Sequence, residues 1–288
     1  MGGQKKIDIF DIINHTVLII FSLIVLLPFW NIFVISISSY KTYLDDSYHL
    51  IPWGVSLNEY KRAFMQSKEL LVSLWATVKI TGFGTVVSML LTTMGGYAMS
   101  KESLPGRNFI FKIFIFTMFF GGGLVPFYVL VKKLNFADTI FALTIPMAIS
   151  TFNMILMKNY FTTLPISLEE AAKIDGYNDI QILFKVVLPI SKPVLAAISL
   201  FYAVGYWNDY FSAMLFISSN KLMPFQIYLR NLIIQNVTAT RVGVHTGPSS
   251  YEQFKMAVII VGIIPVLAVY PFIQKYFTKG ILLGSIKQ

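Results

Sequence analysis

PISLEEAAKIDGYNDIQILFKVVLPISKP, residues Pro165 to Pro193, is a polar stretch set between apolar segments long enough to cross a bilayer. Its punctuation is that of a folded elbow. Ser167 with Glu170 three residues on has the form of a capping box, in which each side chain satisfies a backbone donor at a helix start. A short helix over Leu168 to Asp175 follows, with Ala171 and Ala172 leaving room for a close neighbour. Gly176 stops it, because glycine takes a left-handed C-cap without penalty. Asn178 and Gln181 form a second cap, after which Ile180, Leu183, Phe184 and Val187 share one stripe at helical spacing until Pro189 breaks the run. Two short helices at an angle are predicted. Taken alone, this pattern suits both a docking element and a structured interhelical loop with no partner.

The surroundings decide where the elbow sits. The 288-residue chain is 56% hydrophobic and only 13% charged, whereas a soluble domain carries about 25% charged residues. Apolar runs of bilayer length recur with short polar gaps and do not alternate, so a polytopic helical bundle is predicted rather than a barrel. Six spans fall at about residues 16–37, 71–99, 108–130, 139–160, 194–217 and 255–276. The first is too long for a signal-peptide core and no small-x-small site follows it, so it reads as a retained span in which Pro28 marks a kink or an exit. The elbow, 165–193, lies between the fourth and fifth spans.

On the opposite face lie two longer loops, 38–70 and 218–254. The first suggests an interfacial amphipathic helix capped at Ser56 or Asn58 and anchored by Trp53 and Tyr60; the second holds a half-buried or re-entrant helix within LMPFQIYLRNLIIQ. The whole chain, 1–288, reads as a single transmembrane domain. Six spans put both termini on one side, and a small Lys/Arg excess there, including the KESLPGR loop at Lys101–Arg107, places that side in the cytoplasm.

Within the spans, Gly82, Gly84, Gly95 and Gly96 let helices approach closely, and Lys79 sits where its stem reaches back to the interface. Phe119-Phe120-Gly121-Gly122-Gly123 with Pro126 reads either as a broken helix facing protein or a watery cavity, or as a flexible helix end. Trp207-Asn208-Asp209 is the polar set inside the fifth span. A carboxylate at mid-span costs about 2.5–3.5 kcal/mol on insertion scales, so it is expected to face the bundle interior or a cavity. An indole, an amide and a carboxylate suit the apolar faces and hydroxyls of a sugar; the other reading is a helix-packing hydrogen bond to a partner chain.

Much chemistry is excluded. The chain has 0 Cys, 3 scattered His without metal spacing, and no GxxxxGK[ST] loop for phosphates, so no catalytic constellation or cofactor is predicted on it. Its net charge of +9 reads as basic flanks on an anionic lipid surface, with no soluble basic face for nucleic acid.

Glu170-Ala171-Ala172, Asp175-Gly176 and Leu188-Pro189, with Val186 two places before Leu188, resemble the EAA signature of ABC importer permeases. Phe184, Pro193, Trp207-Asn208 and the tail Gln274-Lys275-Tyr276-Phe277, Lys279-Gly280 are similar to the maltose-type carbohydrate-uptake permeases. Gly122 to Pro126, Phe152-Asn153 and Leu188 to Pro193 are similar to the lipoprotein and aldouronate oligosaccharide branch. Ile286-Lys287-Gln288 and Tyr177 depart from those patterns, the latter where the elbow seats in its partner.

The resemblance implies an all-α, type I ABC importer transmembrane domain in a bacterial plasma membrane. The elbow would be its cytoplasmic coupling element, with Glu170, Ala171, Ala172, Asp175, Gly176, Tyr177 and Lys279 serving the ATPase contact. It further implies a homologous second permease, two ATPase subunits holding ATP and Mg2+, an extracytoplasmic solute-binding protein and an oligosaccharide cargo, with Trp207, Asn208 and Asp209 as substrate-path candidates. The alternatives are an importer of a non-sugar solute and a membrane interaction subunit without transport.

Overall fold

The computed structural model describes residues 9–39, 43, 50–52, 54–241 and 251–284; His49, Trp53, His245 and the tail Ile286-Lys287-Gln288 lie outside them. Helix is the regular structure throughout the described residues, apart from one antiparallel bridge between Ser38 and Val55. The helices are α1 Ile9–Ile37, α2 Asn58–Met65, α3 Lys68–Ser100, α4 Arg107–Phe119, α5 Leu124–Lys133, α6 Ile140–Thr144 and α7 Thr151–Thr162. They continue with α8 Ile166–Ile174, α9 Asp179–Ile190, α10 Lys192–Asn208, α11 Phe211–Phe216, α12 Phe225–Arg241 and α13 Tyr251–Gly284.

Three of these are long and apolar enough to cross a membrane: α1, α3 and the Tyr251–Val269 part of α13. Two bent pairs pass the same test together, α4 with α5 at 115° and α9 with α10 at 90°. Among the described residues this gives three spans, or five if each bent pair is one span, against the six expected from hydropathy. The fourth divides into α6 and α7 around Pro146, and the fifth ends as a helix at Asn208, with Asp209 extended before α11. Glycines 121–123 break the third between α4 and α5: Phe120 is extended and Gly123 takes φ +83°. Pro28, by contrast, lies inside α1 without ending it.

The chain divides into two units, Met1–Lys68 with Asn231–Ile264 and Glu69–Arg230 with Pro265–Gln288. In the first, the end of α1 meets α2 and the start of α13. Tyr60 is hydrogen-bonded to Ser36 at 2.7 Å, and Gln253 donates to the Ser38 carbonyl at 2.5 Å. Ser56 does not cap α2 as expected: Leu57 holds the N-cap position without a side-chain bond, and Ser56 Oγ takes only the Asn58 N–H at 3.4 Å. The upstream face of α1, Ile9 to Phe29, is exposed and apolar, as suits lipid or a partner helix.

The second unit is built on α3. A Cβ on Gly84 would lie 2.7 Å from the Tyr206 ring, and one on Gly96 would lie 2.9 Å from Met157 Cγ, so these glycines set the closeness of α3 to α10 and to α7. Gly82 meets nothing within 4 Å. Gly84→Ala is expected to destabilise the protein by about 1–3 kcal/mol through overpacking. Gly82→Ala gains up to about 1 kcal/mol of helix propensity. Melting temperatures of the two detergent-solubilised variants, measured side by side, check the contrast.

Candidate functional site

α8 starts two residues earlier than the capping-box reading predicts. Pro165 occupies the N-cap in an extended conformation (φ −60°, ψ 125°), no side chain caps the helix, and Ser167 falls inside it. The Leu168 N–H is met by the Pro165 carbonyl at 3.2 Å, a turn that needs no side chain from Ser167. Glu170 and Ala171 are then exposed, while Ala172 turns inward and is buried. The stop follows the expectation. Gly176 takes φ +82°, its N–H donates to Lys173 O at 3.0 Å, and the Tyr177 N–H reaches Ala172 O at 3.0 Å, the paired bonds of a Schellman motif.

The second cap also forms as expected, with Gln181 N donating to Asn178 Oδ1 at 2.9 Å and Asn178 N to Gln181 Oε1 at 3.0 Å. Pro189 does not break the helix that follows. Residues Leu183–Val187 widen into a π-turn and carry α9 through the proline to Ile190. The wider turn absorbs the missing proline N–H and alters the facing stripe. Ile182, Leu183 and Val187 are buried, whereas Ile180 and Phe184 are exposed.

Both elbow helices are seated in one apolar core. Ala172, Ile182, Leu183 and Val187 join Ile80 and Tyr97 of α3, Met157 and Phe161 of α7, and Ile198 and Tyr202 of α10. Glu169, next to the family-type Glu170, is ion-paired with Lys101, and the same ammonium stands 4.1 Å from the Tyr97 ring centre. That pair ties the elbow to the end of α3. Facing outward are Ile166, Ile180 and Ile174, the last 86% exposed. The Lys185 ammonium covers the half-exposed Tyr177 ring at 4.9 Å.

Further along α10, two tyrosines make a polar ladder. Tyr206 is hydrogen-bonded to Ser88 Oγ at 2.8 Å and donates to Thr144 O at 3.2 Å; Tyr202 is bonded to Thr92 Oγ1 at 2.6 Å and accepts the Ser150 N–H at 3.0 Å. Ser88 pairing with Tyr206 and Thr92 with Tyr202 runs α3 antiparallel to α10. In hydrocarbon each such hydroxyl needs a partner, so the ladder fixes the register of α3, α6, α7 and α10.

Trp207, Asn208 and Asp209 do not converge. Trp207 is buried and lines one cavity with Val78, Gly82 and Pro265, while Asn208 and Asp209 open on a different cavity of about 420 Å³ bounded by Asn153, Phe201 and Ser212. Asp209 Oδ1 accepts the Ser212 N–H at 3.1 Å and so secures the start of α11. Asn208 donates to Val204 O at 3.0 Å and accepts from Gln226 at 3.3 Å. Lys79 lies with its ammonium 5.4 Å from the Trp75 ring centre, its stem running along α3. Lys279 lies in α13, its side chain outside those described.

Sequence reasoning missed the ladder, Asn153 and the Lys101–Glu169 pair. The first had a signal: Ser88 and Thr92, like Tyr202 and Tyr206, stand four apart and share a helix face.

A helical, apolar body with a capped elbow seated in its core and polar groups turned inward defines a multi-pass membrane transport component. Residues 106–282 match the model of the family described as binding-protein-dependent transport system inner membrane component, and the chain belongs to that family. It is 44% identical to the polygalacturonan/rhamnogalacturonan transport system permease protein YtcP of Bacillus subtilis (strain 168), over 98% of this chain and 99% of that one. It is 41% identical to protein LplC of the same organism, over 100% and 98%. The crystal structure of a bacterial ABC transporter involved in the import of the acidic polysaccharide alginate contains a chain with TM-score 0.86 and 39% identity, over 96% of this chain and 99% of that chain.

Reversing one charge of the Lys101–Glu169 pair leaves a part-buried charge unpaired. Lys101→Glu is expected to cost about 1–3 kcal/mol, between the values for exposed and for buried pairs. Limited proteolysis should then cut the elbow faster. The swap Lys101→Glu with Glu169→Lys restores protection if the pair is what holds it.

Proposed function

We propose that this chain is one of the two permease subunits of an ATP-binding-cassette importer that takes up an oligosaccharide delivered by an extracytoplasmic binding protein. The observation that carries the reading is the elbow, anchored in the bundle core on one side and presenting exposed Ile166, Ile174 and Ile180 among charged residues on the other, within a chain of the binding-protein-dependent family. The polysaccharides in the names of the similar permease and of the alginate transporter support a saccharide cargo.

In this reading the chain makes six passes, those of α4–α5 and α6–α7 being interrupted, with both termini and the elbow in the cytoplasm. ATP and Mg2+ reside on the two ATPase subunits, and this chain supplies the contact and the path. Closure of the ATPases draws on the exposed ridge of Ile166, Glu170, Ala171, Ile174 and Tyr177. Ala172 stays within this chain and transmits the movement inward, since it shares a core with α3, α7 and α10. Gly176 and Asp175 shape the turn, and Lys279 belongs to the α13 end that completes the contact. The homologous permease forms the other wall of the passage.

Purification of the tagged chain from its native membrane is expected to bring down a P-loop ATPase. Ile174→Glu and Glu170→Lys, both at exposed positions, should insert normally and yet lower binding-protein-stimulated ATP hydrolysis about tenfold or more, the scale of an interface hot spot. Unchanged stimulation in both variants would remove the elbow from the coupling path.

A further inference from the structure

Asn153 is 5% exposed, and its side-chain amide has no hydrogen-bond partner among the described residues. Only its backbone N–H is engaged, by Ser150 Oγ at 3.4 Å at the start of α7. A primary amide carries two donors and a carbonyl acceptor. The amide atoms are not sealed from solvent; they face the cavity of about 420 Å³ that Asn208 and Asp209 also line. That volume lies within the range of about 300–1,000 Å³ common for small-molecule sites.

The other groups around the cavity are of matching chemistry. The Ser212 hydroxyl, open to the cavity, also makes no side-chain hydrogen bond among the described residues, its N–H being given to Asp209 Oδ1. Asp209 keeps its second carboxylate oxygen for an outside donor. The half-exposed Phe201 ring offers an apolar plate on the rim. An amide, a hydroxyl and a carboxylate beside an aromatic face are complementary to a ring that carries hydroxyls on its edge and C–H bonds on its faces. Among the described residues that line the cavity there is one carboxylate and no Lys, Arg or His. A uronate held there would set its own carboxylate near Asp209 with no cation on this chain's side of the cavity to offset the repulsion, in a partly desolvated space.

We propose that this cavity is a saccharide subsite within this chain, and that it receives an uncharged sugar ring. Asn153 and Ser212 bond its hydroxyls, Asp209 accepts from them, and Phe201 stacks on its face. Trp207, buried on the other side of α10, takes no part. The proposal rests on the importer reading.

The test uses the assembled importer, purified with its co-purifying subunits in nanodiscs, and equilibrium binding of radiolabelled arabinotriose, galactotriose and trigalacturonate without the binding protein. The unaltered assembly should bind the uncharged trisaccharides more tightly than trigalacturonate. Asn153→Leu, close in size, should weaken uncharged binding at least tenfold, and Asp209→Asn should narrow the gap to trigalacturonate. Phe201→Ala, on the rim, should weaken uncharged binding at least threefold and decides the matter should Asn153→Leu fail to assemble. Undiminished binding of the uncharged sugars in these two variants overturns the proposal, as does a preference of the unaltered assembly for trigalacturonate. ATP-driven uptake by the same preparations separates the two levels. An assembly that imports sugar but binds it identically in every variant loses the subsite alone, and one with neither ATP hydrolysis nor uptake loses the importer reading with it.

Discussion

The burial of four elbow side chains, Ala172, Ile182, Leu183 and Val187, in the core of the helical bundle is the contact on which the rest of this structure depends. Fully burying a side chain the size of Val, Leu or Ile is worth about 1.5–3 kcal/mol, so three of these anchors together exceed what the exposed Lys173–Asp179 pair adds, which is at most about 1 kcal/mol. The elbow is thus held by its apolar inner face. Its charges are left at the surface, except for Glu169, which is spent on Lys101. In the proposed coupling role the elbow has to be stiff where it joins the bundle, and that is where the apolar contacts lie.

How a polar elbow turns into an apolar span is answered by the backbone. Pro189 has no N–H to give, and in a regular α-helix it would leave a carbonyl orphaned and clash with the preceding turn. The π-turn at Leu183–Val187 relieves both, and Ser191, buried and accepting the bend, lets α10 leave at 90° to α9. From there α10 carries the Tyr202 and Tyr206 hydroxyls to partners on α3, α6 and the N-terminus of α7. The same helix therefore receives the elbow at one end and borders the cavity at the other.

Signals confined to a few neighbouring residues were legible in the sequence. The Asn178–Gln181 box and the Gly176 stop are decided by local backbone chemistry and form as read, and at Gly121–Gly123 the broken helix forms, one of the two readings left open. The start of α8 was not, because a proline and a serine two residues apart both qualify as openers and only the packing of Ala172 chooses between them. Trp207 and its neighbours looked like one group because they are adjacent, yet successive residues on a helix point about 100° apart. Asn208 and Asp209 consequently line one cavity while the indole packs in another place. The partners of Tyr202, Tyr206 and Glu169 lie dozens of positions away in sequence; spacing by four puts each polar pair on one helix face but does not report which pairs meet.

The chain has 0 Cys, so a single cysteine can be introduced without background. The most direct measurement is the rate at which a membrane-impermeant maleimide labels Ile174→Cys, in the chain purified alone and in the assembled importer. If the outward ridge of α8 is the surface on which the ATPase acts, labelling is fast in the isolated chain and falls at least tenfold in the assembly. Equal rates in both would contradict the account, because the most exposed apolar residue of the elbow would then have no partner to cover it.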